Sequence, residues 1–194
     1  DLVKINIAIR EGEFQKNRVL TDAFSYSQSN NKKVHLLGLV SDGGVHSHID
    51  HVIALTKLAC EFPGVNTLIH AFTDGRDTDP KSGLGFIQKI EQAIAGTNSR
   101  IASVCGRYYA MDRDKRWERV KLAYDLMVNG EGAQFETATQ AIEHAYAHEL
   151  TDEFITPCVI GQSAQQKIEE GDVVICFNFR TDRCREITQA LSQQ

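Results

Sequence analysis

Basic charge is the first thing this chain lacks: 21 lysines and arginines face 26 aspartates and glutamates, for a formal net charge of -5. Nucleic-acid binding is rewarded by counterion release from a net basic surface, so this balance argues against nucleic acid as a partner. An RNA-binding surface would have to be built on the local basic run from Arg113 to Lys121 with Trp117. Long apolar runs are missing as well. The longest, such as Val34 to Val40, are far too short to cross a bilayer, and the first residues do not read as an export signal; a cytoplasmic chain with no membrane partner is expected. Cysteine is sparse and unpatterned. Cys60, Cys105, Cys158, Cys176 and Cys184 are odd in number and lack C-x-x-C spacing, which argues for reduced thiols and no zinc site. With only three prolines and 42% hydrophobic residues, the composition is that of a folded globular chain, not a disordered or fibrous one. Nothing in it reads as a linker or repeat, so residues 1–194 are taken as one domain.

What is present is an alternation of apolar runs and glycine turns. Leu2, Ile5 and Ile9 at helical spacing behind Asp1 predict a helix over Asp1 to Glu11, and a second amphipathic stretch covers about Arg18 to Ser27. Val34 to Val40 is a continuous apolar run of the kind covered on both faces of a sheet. It leads into SDGGVHSH, Ser41 to His48, where Gly43 and Gly44 permit a sharp turn before a helix that begins near Ile49. The unit repeats in form, with a strand over Val65 to Phe72, the loop TDGRDTDP over Thr73 to Pro80, and a helix from about Ser82 to Ala95. Ile101 to Cys105 is a third strand, followed by GRYYAMDRDKRWERV, Gly106 to Val120, in a helix that runs on through Leu126. Thr137 to His148 reads as helix, Phe154 to Ile160 as an edge strand interrupted by Pro157, Val173 to Phe177 as a strand as buried as the first, and the residues through Leu191 as a last helix. This is the signature of βαβ crossovers and predicts a three-layer α/β/α fold around a mainly parallel sheet.

In a parallel sheet the loops that follow the strands share one rim, so residues distant in sequence meet in one crevice. Here those loops carry His46 with Asp42, Arg76 with Asp77, Arg107 with Arg113, and Arg180 with Arg183. The segment Gly106 to Val120 alone sets Arg107, Arg113, Lys115, Arg116 and Arg119 among Asp112, Asp114 and Glu118, a local +2 in an acidic chain. Such charges also pair along an ordinary helix face, and it is their common place at strand ends that favours a site. Guanidinium forks grip carboxylate or phosphate bidentately, and interleaved acids fix the direction of the forks. Five arginines on one rim repel one another unless acids and an anion compensate them, so the expected ligand is small and multiply anionic. His46 and Asp77 add groups that can accept a hydroxyl proton and so orient or activate an alcohol. Tyr108, Tyr109 and Trp117 are expected to pack.

The motifs SDGGVHSH, HAFTDGRDTDP, GRYYAMDRDKRWERV and NFRTDR, in this order and spacing, closely resemble the cofactor-independent (2,3-bisphosphoglycerate-independent) phosphoglycerate mutase family, within the alkaline phosphatase superfamily. The resemblance spans essentially the whole chain from DLVKINIAIREGEF onward. It implies a substrate-binding lobe only. The other lobe of that bilobal enzyme would supply the nucleophilic serine and two divalent metal ions, manganese or magnesium, and no metal would be held by this chain. The implied reaction interconverts 3-phosphoglycerate and 2-phosphoglycerate in glycolysis and gluconeogenesis: the phosphoryl group passes to the serine and returns to the other hydroxyl of a glycerate that this lobe holds. Matched motif by motif, the implied substrate contacts are His46, Arg76, Asp77, Arg107, Arg113, Arg180 and Arg183, with Asp77 as proton carrier and His46 preferred to His48. Thr181, where proline or alanine is expected in relatives, is a local departure. The full-length enzyme is expected to be a cytoplasmic monomer with a small-molecule substrate, and the isolated lobe to be inactive. An opening without Met fits a piece of something longer. The alternative reading is a stand-alone regulatory module that binds a small anion.

Overall fold

The structure, a computed structural model, describes residues 1–161 and 166–193. Six strands form one sheet: β1 (Val34–Val40), β2 (Thr67–Thr73), β3 (Ser99–Gly106), β4 (Ala133–Phe135), β5 (Cys158–Ile160) and β6 (Val173–Cys176). Their order is β4-β5-β3-β2-β1-β6. β1 pairs parallel with both β2 and β6, and β2 with β3, while β5 runs antiparallel to β3 and parallel to β4. The sheet is therefore mixed at one side and parallel through the four strands that precede the charged motifs.

Strand alternation sends apolar side chains to both faces, and helices cover each. On one face Val34, Leu36, Ile69 and Val104 pack with Phe24 of α2 (Arg18–Asn30), Leu55 and Leu58 of α3 (Ile49–Ala59), Ile87 and Ile90 of α4 (Gly83–Ile94) and Ile142 of α7 (Ala138–Ala147). On the other, Leu37, Leu39, Phe72 and Cys105 meet Val120, Ala123 and Leu126 of α6 (Trp117–Val128) and Ile187 of α8 (Arg185–Ser192). The expected three layers are present. An outer helix, α1 (Leu2–Arg10), packs on α3, where His51 Nε2 lies 2.8 Å from Asn6 Oδ1. All five cysteines are free thiols.

Three sequence expectations are corrected. The helix expected to run through Gly106 to Leu126 is broken into a single turn, α5 (Arg107–Ala110), and α6. Between them Asp112 Oδ2 accepts the N–H groups of Asp114 and Arg116, each at 2.9 Å, and Lys115 sits at φ 59°. A side chain thus satisfies donors that a helical carbonyl would otherwise take, and the chain turns. The expected edge strand over Phe154 to Ile160 is instead a 3₁₀ turn, Asp152–Phe154, followed by β5, which lies between β3 and β4. The edge is β4, three residues too short to leave a periodic signal. Finally, β6 is not as buried as β1: it is the opposite edge strand, only partly covered, whereas every residue of β1 is buried.

Candidate functional site

Because β1, β2, β3 and β6 run parallel, the loops at residues 41–48, 74–82, 107–116 and 177–184 all leave the same rim. Local chemistry ties them together. Gly44 takes φ 67° in the first turn, a left-handed conformation that favours glycine. Asn178 Oδ1 accepts the Leu39 N–H at 2.9 Å, and the Phe179 N–H donates to the His46 carbonyl at 2.9 Å, joining the last loop to the first. Gly106 permits a close approach: the Glu153 carbonyl occupies the space a Cβ would need, and the Gly106 N–H donates to the Ile155 carbonyl at 2.7 Å. Buried Asp152 then fastens the second loop, accepting the Gly83 N–H at 2.8 Å and the Tyr146 hydroxyl at 2.6 Å, while its carbonyl accepts Thr73 Oγ1 at 2.7 Å.

Arg107 is the buried floor of the site. Its Nη1 donates to Asp74 Oδ1 and Asp77 Oδ2, each at 2.6 Å. Asp74 also accepts Ser41 Oγ at 2.7 Å and the N–H groups of Arg76 and Asp77 at 3.2 and 3.0 Å. Burial pushes the Asp74 carboxyl up, but these hydrogen bonds and the Arg107 charge outweigh it and hold the group below the ordinary carboxylate range. Asp182 is a second hub. Its Oδ2 accepts from Arg113 Nη1 at 2.9 Å and Arg180 Nη2 at 3.2 Å, and its Oδ1 lies 2.8 Å from Arg180 Nε. Between the hubs stands buried His46, with Nε2 3.8 Å from Asp77 Oδ2 and Nδ1 3.9 Å from Asp182 Oδ1. Burial first, and then the Arg107 charge, lower the His46 pKa, so the ring is neutral near pH 7, and among the described residues its Nδ1 has no hydrogen-bond partner. Arg76 reaches Glu153 Oε1 at 3.3 Å, and Arg183 Nη1 donates to the Met111 carbonyl at 3.4 Å.

Arg76, Arg107, Arg113 and Arg183 line one cavity of about 380 Å³, walled by Asp112, Asp114 and Glu153. Their positive fields overlap there. Burial, followed by the charges of Arg113, Arg107 and Arg76, pushes the Arg183 guanidinium below its ordinary value. His46, Asp77 and Arg180 do not line this cavity, but Asp77 joins it through Arg107, and Asp182 brings Arg180 and His46 beside Arg113. The arrangement can hold a small anion in fixed guanidinium forks next to a neutral imidazole and a carboxylate.

A family model described as the BPG-independent PGAM N-terminus matches residues 5–194. The chain belongs to this family. The 2,3-bisphosphoglycerate-independent phosphoglycerate mutases of Parabacteroides distasonis and Flavobacterium johnsoniae are each 55% identical over 196 residues, covering all of this chain and 39% of theirs. That of Listeria monocytogenes is 45% identical over 196 residues, again covering all of this chain and 38% of its own. A crystal structure of Leishmania mexicana phosphoglycerate mutase at low cobalt concentration superposes with a TM-score of 0.90 at 30% identity, over the whole of this chain and 37% of that one. The chain therefore spans less than two fifths of the length of these relatives.

Within the family fold, sequence reasoning paired His46 with Asp42. Asp42 is exposed, and the acids that stand by His46 are Asp77 and Asp182. It also overlooked Asp74, Asp182 and Glu153, acids that aim the arginines, whereas Asp112 was among those it named. The signal was present for two of them, since Asp74 and Asp182 lie inside the quoted motifs within two residues of Arg76, Arg180 and Arg183. For Glu153 there was none, because only the fold brings the 3₁₀ turn to Arg76. Tyr108 does more than pack: the Arg119 guanidinium lies 3.9 Å over its ring. Trp117 is half exposed. Among the described residues no group of three or more His, Cys, Asp or Glu side chains could hold a metal ion, and the acids of the site are engaged by guanidinium groups. These residues do not fit a metal, so no step on this chain is routed through one.

Proposed function

We propose that this chain, residues 1–194, is the substrate-holding lobe of a phosphoglycerate mutase, gripping 3- and 2-phosphoglycerate and retaining glycerate while its phosphoryl group moves. One observation carries the reading: guanidinium groups from three different loops, Arg76, Arg107 with Arg113, and Arg183, meet in one cavity floored by the Arg107, Asp74 and Asp77 ion pairs. Phosphoglycerate sets a phosphate and a carboxylate on a three-carbon frame with a free hydroxyl. The forks suit the two anions. His46 and Asp77 suit the hydroxyls, with Asp77 as proton carrier: its Oδ2 is both the atom bonded to Arg107 and the one nearest the imidazole. Retaining glycerate keeps the transfer intramolecular, which avoids the entropic cost of recapture. On this reading the nucleophilic serine and divalent metals, manganese or magnesium, lie in the remainder of the enzyme, and this chain alone is inactive. The whole enzyme would act as a cytoplasmic monomer, without nucleic-acid or membrane partners.

The test is an amide NMR titration of the chain with 3-phosphoglycerate at millimolar concentration. Shifts are expected at residues 41–48, 74–78, 106–114 and 178–183, with affinity about tenfold or more weaker in Arg113→Ala, the loss of one charge-assisted contact. Shifts that are absent, or that fall on another face, would overturn the reading. Turnover by the purified, metal-supplemented chain would overturn the claim that the chemistry needs the rest of the enzyme.

A further inference from the structure

A fifth guanidinium faces the cavity of the site. Arg119, in the first turn of α6, lines it beside Arg76, Arg107, Arg113 and Arg183. Unlike those four, its side chain makes no hydrogen bond among the described residues: the one carboxylate oxygen within 4 Å, Asp112 Oδ1, is 3.6 Å from Nη1, beyond hydrogen-bond length. Its direction is set instead by an aromatic face, for the guanidinium carbon lies 3.9 Å from the centre of the Tyr108 ring. That ring is itself held, with Tyr109 edge-on at 5.1 Å and Phe154, from the 3₁₀ turn, also at 5.1 Å. Asp112 is held as well, since its Oδ2 accepts the Asp114 and Arg116 N–H groups. The charge of Arg119 is thus offset at short range while its donors are left unused.

Exposure separates Arg119 from the arginines of the rim. Its side chain is 23% exposed, whereas those of Arg76, Arg113 and Arg180 are 45 to 58% exposed. A transferred phosphoryl group must face outward, because on the function proposed above the serine that receives it lies in the remainder of the enzyme. The carboxylate of 2- and 3-phosphoglycerate neither forms nor breaks a bond, so a withdrawn, fixed fork suits it. A planar carboxylate matches a guanidinium edge, and a fork whose direction is already set loses little freedom on binding. Asp112, Asp114 and Glu153 share the lining and oppose an anion, but five arginines against these three acids leave the cavity net positive.

We propose that Arg119 is a further substrate-binding residue: held on the Tyr108 face, it receives the carboxylate, the anionic group that keeps its place during transfer. This deepens the function proposed above and rests on it. The test titrates the chain and Arg119→Ala with 3-phosphoglycerate and with glycerol 3-phosphate, which keeps the phosphate and a hydroxyl but has no carboxylate. NMR follows the Arg119 Nε–H resonance of the wild type in both titrations. Wild type should bind 3-phosphoglycerate about tenfold or more tighter than glycerol 3-phosphate, and Arg119→Ala should lose most of that preference, as expected for one charge-assisted contact. Only 3-phosphoglycerate should move the Nε–H resonance strongly. Arg119→Lys keeps the charge without the fork, so it should bind 3-phosphoglycerate at least about threefold more weakly than wild type. Should the alanine variant fail to fold, the lysine variant and the wild-type resonance decide. An alanine variant that keeps the wild-type preference, an equal loss for both ligands, which would mark a merely structural role, or an unmoved resonance would overturn the proposal and leave the proposed function standing. If the wild type binds no 3-phosphoglycerate, the proposed function falls and this assignment with it.

Discussion

Acid should unfold this protein through histidines buried in the sheet, well before its carboxylates titrate. His35 on β1 and His70 on β2 lie on the face covered by α6 and α8, with His35 Nδ1 2.9 Å from His70 Nε2, His35 Nε2 3.2 Å from Asp172 Oδ2 and His70 Nδ1 2.7 Å from Ser103 Oγ. With both rings neutral, as their burial favours, and Asp172 ionised, one assignment of protons satisfies all three contacts. Asp172 must accept from His35 Nε2, His35 Nδ1 must then accept from His70 Nε2, and His70 Nδ1 must accept from the Ser103 hydroxyl. A second proton on either ring would put a net charge among buried apolar neighbours, which is what burial disfavours.

Burial drives His35 to about 4 and His70 well below the ordinary histidine value of 6.5. His51, which ties α3 to α1, is pushed to about 4 by burial and then by His48. These groups are depressed bases, so the unfolded chain binds more protons than the folded one between pH 6.5 and 4, and stability falls as pH falls through that window. Each ring that moves from about 6.5 to about 4 accounts for about 3.4 kcal/mol in full, of which roughly 2 kcal/mol is lost by about pH 5. Urea unfolding at about pH 7.5 and about pH 5 reads the difference, expected at roughly 4 kcal/mol for His35 and His51 together, with His70 adding to it. An unchanged midpoint, or an NMR titration that puts His35 near 6.5, would refute the proton assignment.

Asp74→Asn should lower stability by about 3 kcal/mol, since it strips one carboxylate from a buried guanidinium; a shift of the denaturation midpoint worth under about 1 kcal/mol would mean that Asp77 alone holds Arg107. Gly106→Ala must displace the Glu153 carbonyl, so a loss of about 1–3 kcal/mol is expected, together with weaker 3-phosphoglycerate binding through the Glu153 and Arg76 contact. A variant with wild-type stability would show that the 3₁₀ turn yields freely.

The four parallel strands were legible as apolar runs, three of them closed by glycine, and β1 lies where its sequence puts it, Val34–Val40. What escaped was decided by contacts distant in sequence. β4 has only three residues, and nothing in Ala133, Gln134 and Phe135 shows that they will pair with β5. The break between α5 and α6 was hidden because Asp112 looked like one more charge on a helix, whereas its carboxylate accepts the Asp114 and Arg116 N–H groups and Glu186, distant in sequence, accepts that of Lys115. The cations of the site were read correctly as a group, since their loops follow parallel strands. Which acid holds which arginine could not be read, because a carboxylate in a loop pairs with whatever the neighbouring loop brings.

The degree of pairing divides the arginines by task. Arg107 is buried between two carboxylates, and to withdraw it would strand Asp74, which is 1% exposed; its charge is fixed. Arg113 and Arg180 share the single carboxylate of Asp182 and are about half exposed, so each keeps donors free. Among the described residues Arg183 has only a carbonyl partner, and it lies in the field of three other guanidinium groups. An arriving anion lowers the energy of Arg183 and Arg113 most, because they are the least compensated, and gains little from Arg107. Histidines divide in the same way. His35 and His70 lie within β1 and β2, where every partner is already supplied, whereas His46 lies just beyond the end of β1, its buried Nδ1 without a hydrogen-bond partner among the described residues. A residue's place inside or just past an apolar run, more than its type, decides whether its polarity is spent on the fold or left for a ligand.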